Sequence, residues 1–364
     1  LLFFFDWLLG AGVHRYWSLL VSIVMLMGNV AVRATEEPRT ALELLGRTVD
    51  AGESSKFSFI KDNGFEASYL DAPLWVAHGS QPGPTLCISA AIHGDEINGV
   101  EIARRVFAAT DPSRLSGTLI VLPAINADGF RTGRRYLSDR RDLNRAFPGK
   151  SDGSIAAIIA NAVFNNVITS CDALVDLHTA SFHRSNLPQI RVDISHQPSF
   201  ELARHFGVGI IIDGRGPSGS LRREAVDAGV PAIIYEAGEP LRFQEQEIAR
   251  GERGVANVME FLGMVPGVQE EIPLSQVFKR SSWVRVPPGQ GGFFFPAAEL
   301  GTEVAPGTRL GHVVDPLTDA YHEIVAPFSG QIIGMAVPQV VLSGYALFHI
   351  GQSMVEVTRK REDE

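Results

Sequence analysis

Residues 85–109 read TLCISAAIHGDEINGVEIARRVFAA. An apolar run shortens into small residues, bends on His93-Gly94-Asp95-Glu96, and continues with apolar residues at helical spacing. That is the pattern of a strand, a polar turn and a helix. The rhythm recurs downstream. GTLIVLPAIN (117–126), ALVDLHT (173–179), GVGIIIDG (207–214) and VPAIIYEAG (230–238) are short β-rich runs that end in polar residues. SIAAIIANAVFNNVI (154–168) is helix-like between two of them. Near-continuous apolar strands alternating with helices predict an α/β domain over residues 36–268, with a mixed, largely parallel sheet flanked by helices. In such sheets, sites form beyond the carboxyl ends of the strands. The polar residues that close these runs are therefore placed to do chemistry.

The texture changes after residue 268. Residues 269–364 are rich in Gly and Pro, with short apolar runs and no long helical pattern, which predicts a small all-β, barrel-like domain. Its phrase VAPFSGQIIGMAVPQVVLSGYALFHIG (325–351) resembles the lipoyl/biotinyl-carrier barrel. No lysine lies between Lys279 and Lys360, so a swinging-arm role is excluded. At the other end, residues 1–35 include YWSLLVSIVMLMGNVAV (16–32), an uncharged stretch. It suits a signal-peptide core, a short membrane anchor, or sequence upstream of a start at Met25 or Met27. These residues are set aside from fold reasoning.

Composition narrows the rest. Hydrophobic residues are 45% and charged residues 20% of the 364-residue chain, so a sizeable core is available and about two domains are expected. The net charge is −9 and no basic run stands out, which argues against nucleic-acid binding. Cys87 and Cys171 lack CxxC spacing, so thiolate zinc sites and dithiol redox chemistry are not expected. Both read as small buried residues that leave the compartment undecided.

Four groups of residues carry chemistry. His93 and Glu96 sit at the strand-to-helix junction, and imidazole nitrogen and carboxylate oxygen are both good zinc ligands. Asp95 is either a helix cap or a supporting residue. His178 closes another strand, with Asp176 two positions earlier and so on the same face. Asp176 orients either His178 or His93. Two histidines and one glutamate leave a fourth position for water, the pattern of a catalytic zinc. Glu236 closes a later strand and is the candidate base, with Glu239 as its competitor. The loop GRRYLSDRRDLNRAFPG (133–149) is rich in arginine and follows a strand, so it lies at the same sheet edge. Arginine forks suit a substrate carboxylate or a developing oxyanion. No GxxxxGK[ST] loop occurs, so nucleotide chemistry is not supported.

HGDE (93–96), DLNRAFPG (142–149), DLHT (176–179) and EAG (236–238), in that order, resemble the succinylglutamate desuccinylase/aspartoacylase family over roughly residues 40–265. The resemblance implies a zinc carboxypeptidase-like fold and one zinc per chain. It implies His93, Glu96 and His178 as metal ligands, and Glu236 as the water-activating base. It implies that Asn144 and Arg145 hold the substrate's α-carboxylate. Arg135, with Arg140 and Arg141 as rivals, matches the arginine that polarises the scissile carbonyl. The spacing to DLNR is longer here than in aspartoacylase. Arg222, Arg223 and Arg191 are candidates for a further anion-reading group.

The expected function is zinc-dependent deacylation of a small N-acyl amino acid. The alternatives are a zinc carboxypeptidase acting on short peptides and a non-catalytic zinc-binding sensor or interaction protein. A homo-oligomer is compatible with this reading. The cytoplasm is the expected compartment, with a periplasmic or membrane-anchored form through residues 16–32 as the alternative.

Overall fold

A computed structural model describes residues 39–58, 72–267 and 275–357. The hydrophobic stretch 16–32 and the expected domain boundary near residue 268 lie outside the described residues. The strands run in chain order. Those before the site are β1 (Leu42–Leu44), β2 (Arg47–Val49), β3 (Glu53–Ser58), β4 (Pro73–His78), β5 (Gln81–Ala90) and β6 (Ser116–Leu122). The next are β7 (Ala173–His178), β8 (Arg184–Val192), β9 (Ile210–Asp213) and β10 (Ala232–Gly238). The C-terminal ones are β11 (Ser275–Arg285), β12 (Gly292–Pro296), β13 (Glu303–Val304), β14 (Arg309–Val314), β15 (Tyr321–Val325), β16 (Gly330–Ala336), β17 (Gln339–Val341) and β18 (Ala346–Val357). The helices are α1 (Asn98–Ala109), α2 (Ala127–Thr132), α3 (Ile155–Asn166), α4 (Gln197–Phe206), α5 (Leu221–Asp227) and α6 (Glu245–Phe261).

The result is the mixed α/β fold expected. A 12-stranded sheet has the order β13-β16-β18-β11-β9-β8-β10-β7-β5-β6-β4-β3. Its centre, β10-β7-β5-β6, is parallel. Alternation along the strands divides the core in two. Leu86 and Ile88 on β5, and Leu119 and Val121 on β6, pack with Ile102 and Phe107 of α1 and Val255 and Val258 of α6. Their neighbours Cys87, Ile120 and Leu122 face the opposite side, where Ile159 and Val163 of α3 and Leu221 of α5 cover the sheet. Each strand is thus buried on both faces, which explains why these runs read as continuously apolar.

The C-terminal strands join this sheet. β11 pairs in parallel with β9 and antiparallel with β18, and β16 pairs with both β18 and β8. Strands β8, β9, β11, β18 and β16 therefore close into a ring. A separate four-stranded sheet, β15-β14-β12-β17, packs on it through a core that includes Phe294, Leu310, Leu347 and Phe348. The barrel-like character expected of this region is present, with strands shared with the main sheet. Strand β8 is an element the sequence pattern missed, because RSNLPQIRV carries polar residues and a proline inside it.

The cysteines need a correction. Both are buried, as expected, but they form a Cys87–Cys171 disulfide across a separation of 84 residues. Nothing in their spacing signals the pair, because β5 and the segment leading into β7 become neighbours only in the sheet. Closing a loop of this size constrains the unfolded chain by about 3–5 kcal/mol. Reduction, or Cys171→Ala, should lower the melting temperature by several degrees in thermal unfolding followed by circular dichroism. An unchanged melting temperature would contradict the pairing.

Candidate functional site

Three parallel strands bring the site together. In register, Ser89 of β5 lies beside Asp176 of β7, and His178 beside Glu236 of β10. The face that buries Leu174 and Ala232 among α3 and α5 carries Asp176, His178 and Glu236 towards its carboxyl edge. Beyond β5 the chain turns through residues 91–97 before α1 begins at Asn98. Gly94 makes that turn possible. A Cβ there would lie 2.1 Å from the Gly129 carbonyl carbon and 2.2 Å from the Phe130 nitrogen, both backbone atoms of α2. Asp95 does not cap the helix. The cap residue of α1 is Ile97, without a side-chain bond, and Asp95 Oδ1 is buried with no hydrogen-bond partner.

His93, Glu96 and His178 form one buried cluster, with their candidate ligand atoms within 4.8 Å of one another. His93 Nδ1 is 2.9 Å from Glu96 Oε1, and His178 Nδ1 is 2.8 Å from Glu96 Oε2. The Thr179 N–H donates to the same Oε2 at 3.2 Å. Each ring is held from behind by a carboxylate. His178 Nε2 is 2.9 Å from Asp176 Oδ2, and Asp176 Oδ1 accepts from Ser89 Oγ at 2.7 Å. His93 Nε2 is 3.2 Å from Asp142 Oδ1. Asp176 therefore serves His178, and His93 has its own partner, which the sequence pattern did not single out.

This donor set fits a metal ion. Both histidines turn Nδ1 inwards and commit Nε2 to a carboxylate, the usual arrangement of ligating imidazoles. His93 Nδ1 is buried and, although close to Glu96, makes no aligned hydrogen bond. Without an ion, the charges of the cluster balance one another. Burial alone would raise the Glu96 carboxyl, but His93 and His178 hold it well below the usual carboxylate range. Burial opposes charge on His178, yet Asp176 and Glu96 raise it well above the ordinary histidine value.

The cluster opens into a cavity of about 420 Å³. Glu236, Arg135, Asn144 and Arg145 all line it. Glu236 is held at both oxygens. Arg191 Nε is 2.9 Å from Oε1, and Asn186 Nδ2 donates to Oε2 at 2.7 Å. Its competitor Glu239 pairs instead with Arg242 outside the cavity. Arg135 donates to Glu96 Oε1 at 2.8 Å and lies 3.6 Å from Asp142 Oδ2. Arg140 and Arg141 do not line the cavity, and Arg141 pairs with Asp139. Asn144 Oδ1 accepts from the Leu221 N–H at 2.8 Å, which leaves its Nδ2 as a donor. Of the candidates for a further anion-reading group, Arg222 lines the cavity and Arg223 does not, while Arg191 lines it but is engaged by Glu236.

Against known proteins, residues 82–262 match the model of the succinylglutamate desuccinylase/aspartoacylase catalytic domain. The chain belongs to the succinylglutamate desuccinylase/aspartoacylase family. Among curated relatives, it is 28% identical over 193 residues to N-alpha-acetyl-L-2,4-diaminobutyric acid deacetylase of Halomonas elongata, covering 51% of this chain and 56% of that protein. It thus spans a little over half of that relative's length. Among solved structures, the product-bound ectoine utilization protein EutE (DoeB) of Ruegeria pomeroyi aligns with a TM-score of 0.71 at 26% identity, over 78% of this chain and 89% of that one. A succinylglutamate desuccinylase/aspartoacylase from Rhodobacter sphaeroides aligns with a TM-score of 0.74 over 85% of this chain and 98% of that one. At 22% identity this second likeness speaks for the fold alone.

Within this family member, Asp142 is the residue most easily overlooked. It sits two places before Asn144 in DLNR, and its Oδ1 accepts from the Asn144 N–H at 2.9 Å as well as facing His93. One carboxylate thereby ties the arginine loop to the histidine cluster. Replacing it by alanine should weaken metal binding about 10–100-fold, the usual effect of removing a ligand's carboxylate partner. Competition with a chromogenic chelator measures this, and unchanged affinity would detach Asp142 from the cluster.

Proposed function

We propose that this protein is a zinc-dependent deacylase that hydrolyses the amide bond of a small N-acyl amino acid. The observation that carries the reading is the His93/Glu96/His178 cluster opening into the same cavity as Glu236 and the Asn144–Arg145 pair. His93, Glu96 and His178 would hold the ion. Zinc bound by two histidines and one carboxylate supplies a Lewis acid that lowers the pKa of water and polarises a carbonyl.

The chain's own residues do the rest. Glu236, steadied by Arg191 and Asn186, takes a proton from the attacking water and delivers it to the departing amine nitrogen. The C–N bond breaks, leaving a carboxylic acid and a free amino acid. Arg135, buried beside Glu96, donates towards the carbonyl oxygen as negative charge develops there. Asn144 Nδ2 and the Arg145 guanidinium orient the substrate's α-carboxylate. Arg222 gives the cavity further anionic preference. Burial, and then the charge of Arg191, push its pKa down to about 10, and a bound anion relieves that strain on the charged form. The relatives' names, a deacetylase of an acylated diamino acid and an ectoine utilization protein, support an acyl amino acid as substrate.

The disulfide supports the extracytoplasmic alternative for localisation, because buried disulfides persist mainly in oxidising compartments.

Purified protein should contain about one zinc per chain, as a three-ligand site with one open position requires. A chelator should abolish hydrolysis and zinc should restore it. Glu236→Gln should keep its zinc and lose at least about 100-fold in kcat, within the range of general acid–base catalysis. Hydrolysis of acyl amino acids by metal-free protein would sink the mechanism. Turnover of short peptides alone would move the substrate from acyl amino acids to peptides.

Arg145→Ala tests the carboxylate anchor. It should raise KM about 10–100-fold, the value of a charged hydrogen bond. An unchanged KM would remove Arg145 from substrate binding.

A further inference from the structure

Glu236 is gripped by two side chains of one strand, Asn186 and Arg191, and that grip is geometrically unusual. The two are five positions apart, so in a regular strand they point to opposite faces. The register between β8 and β10 explains how both reach one carboxylate. Arg191 lies opposite Ile234 and Gln189 opposite Glu236, but Asn186 lies opposite Gly238. Three steps on β8 match two on β10, so an extra residue is inserted between Asn186 and Gln189. Such a bulge reverses the alternation and re-aims the following side chain. Pro188 lies inside it, where the missing N–H costs no ladder bond.

The re-aimed amide then needs room on its far side. Asn186 is buried and lies opposite Gly334 of β16, the C-terminal strand that closes the ring. A Cβ on Gly334 would come within 2.5 Å of Asn186 Oδ1. The backbone of Gly334 has no left-handed φ, so glycine is needed here for space rather than conformation. The amide orientation is fixed as well. A carboxylate accepts only, so Nδ2 must face Glu236 and Oδ1 must face Gly334.

We infer that Asn186 is a positioning residue for Glu236, keyed into place by the missing side chain of Gly334. The inference rests on Glu236 being the base of the proposed deacylase. It gives the C-terminal strands a defined part in catalysis: the closing strand sets the direction of the carboxylate that handles the proton. A carboxylate displaced by a fraction of an ångström loses the alignment that makes proton transfer efficient.

A double-mutant cycle on the zinc-loaded full chain tests this. Asn186→Ala should lower kcat about 10–100-fold with KM within about threefold. Asn186→Asp, which keeps the shape but removes the donor, should be at least as damaging. Gly334→Ala should lower kcat in the wild-type background and have no further effect in Asn186→Ala, where the added methyl has space. Zinc content should stay near one per chain throughout.

Additive losses from Gly334→Ala in both backgrounds would overturn the key, and wild-type kcat in Asn186→Asp would overturn the positioning role. The same cycle read in melting temperature tests the steric coupling without turnover: non-additive changes support it and additive ones refute it. Full activity of Glu236→Gln would instead refute the base assignment, which separates failure of the proposed function from failure of this inference.

Discussion

The site depends on a register. Strands β5, β7 and β10 run side by side in parallel, and their alignment places Ser89 against Asp176 and His178 against Glu236. Slip any one of them by a residue and every side chain on it exchanges faces. His178 would then enter the apolar layer under α1 and α6, and a hydrophobic residue would replace it at the cavity. The buried Asp176 accepts from Ser89 across the β5–β7 pair and serves His178 on its own strand, so the alignment of β5 with β7 is the one that satisfies all three polar groups. A misaligned Asp176 would be a buried charge without partners, which costs far more than the bonds contribute.

Much of this was legible because the decisive residues sit where strands end. His93, Glu96, His178 and Glu236 each follow a continuous apolar run, and such runs are the strongest strand signal when both faces are covered. The arginine loop was legible for the same reason, since it follows β6. What the sequence concealed was contact at a distance. Asp142 meets His93 across 49 positions, and Cys87 meets Cys171 across 84. No local pattern encodes either meeting. Asp95 misled because an acid just before a helical pattern resembles a cap, whereas the turn runs on to Ile97 before α1 starts. Strand β8 was invisible because the proline and polar residues that disqualify it as an ordinary strand are what its bulge requires.

The arginines divide by their partners. Arg135 and Arg191 are engaged by carboxylates of the site itself, Glu96 and Glu236. Arg145 and Arg222 donate to backbone carbonyls of Asn144 and Gly214, which position a guanidinium without neutralising it. The cavity therefore holds arginines paired with its carboxylates and others whose charge no carboxylate of the cavity neutralises at contact distance. Sequence spacing alone could not separate the two sets, because all four residues are the same type in loops or at strand and helix ends.

The ring of strands also has a consequence in time. A chain emerges from its amino end, so β8 and β10 are available long before β16 is made. Until that late strand docks, residues 184–186 of β8 present an open edge of unpaired backbone groups, a surface prone to association with other chains. The groove between β8 and β16 is also unformed, so the amide of Asn186 has no wall to rest against. If Glu236 is the base, hydrolysis thus waits on the closing strands, and proton transfer is set up only once the ring is complete.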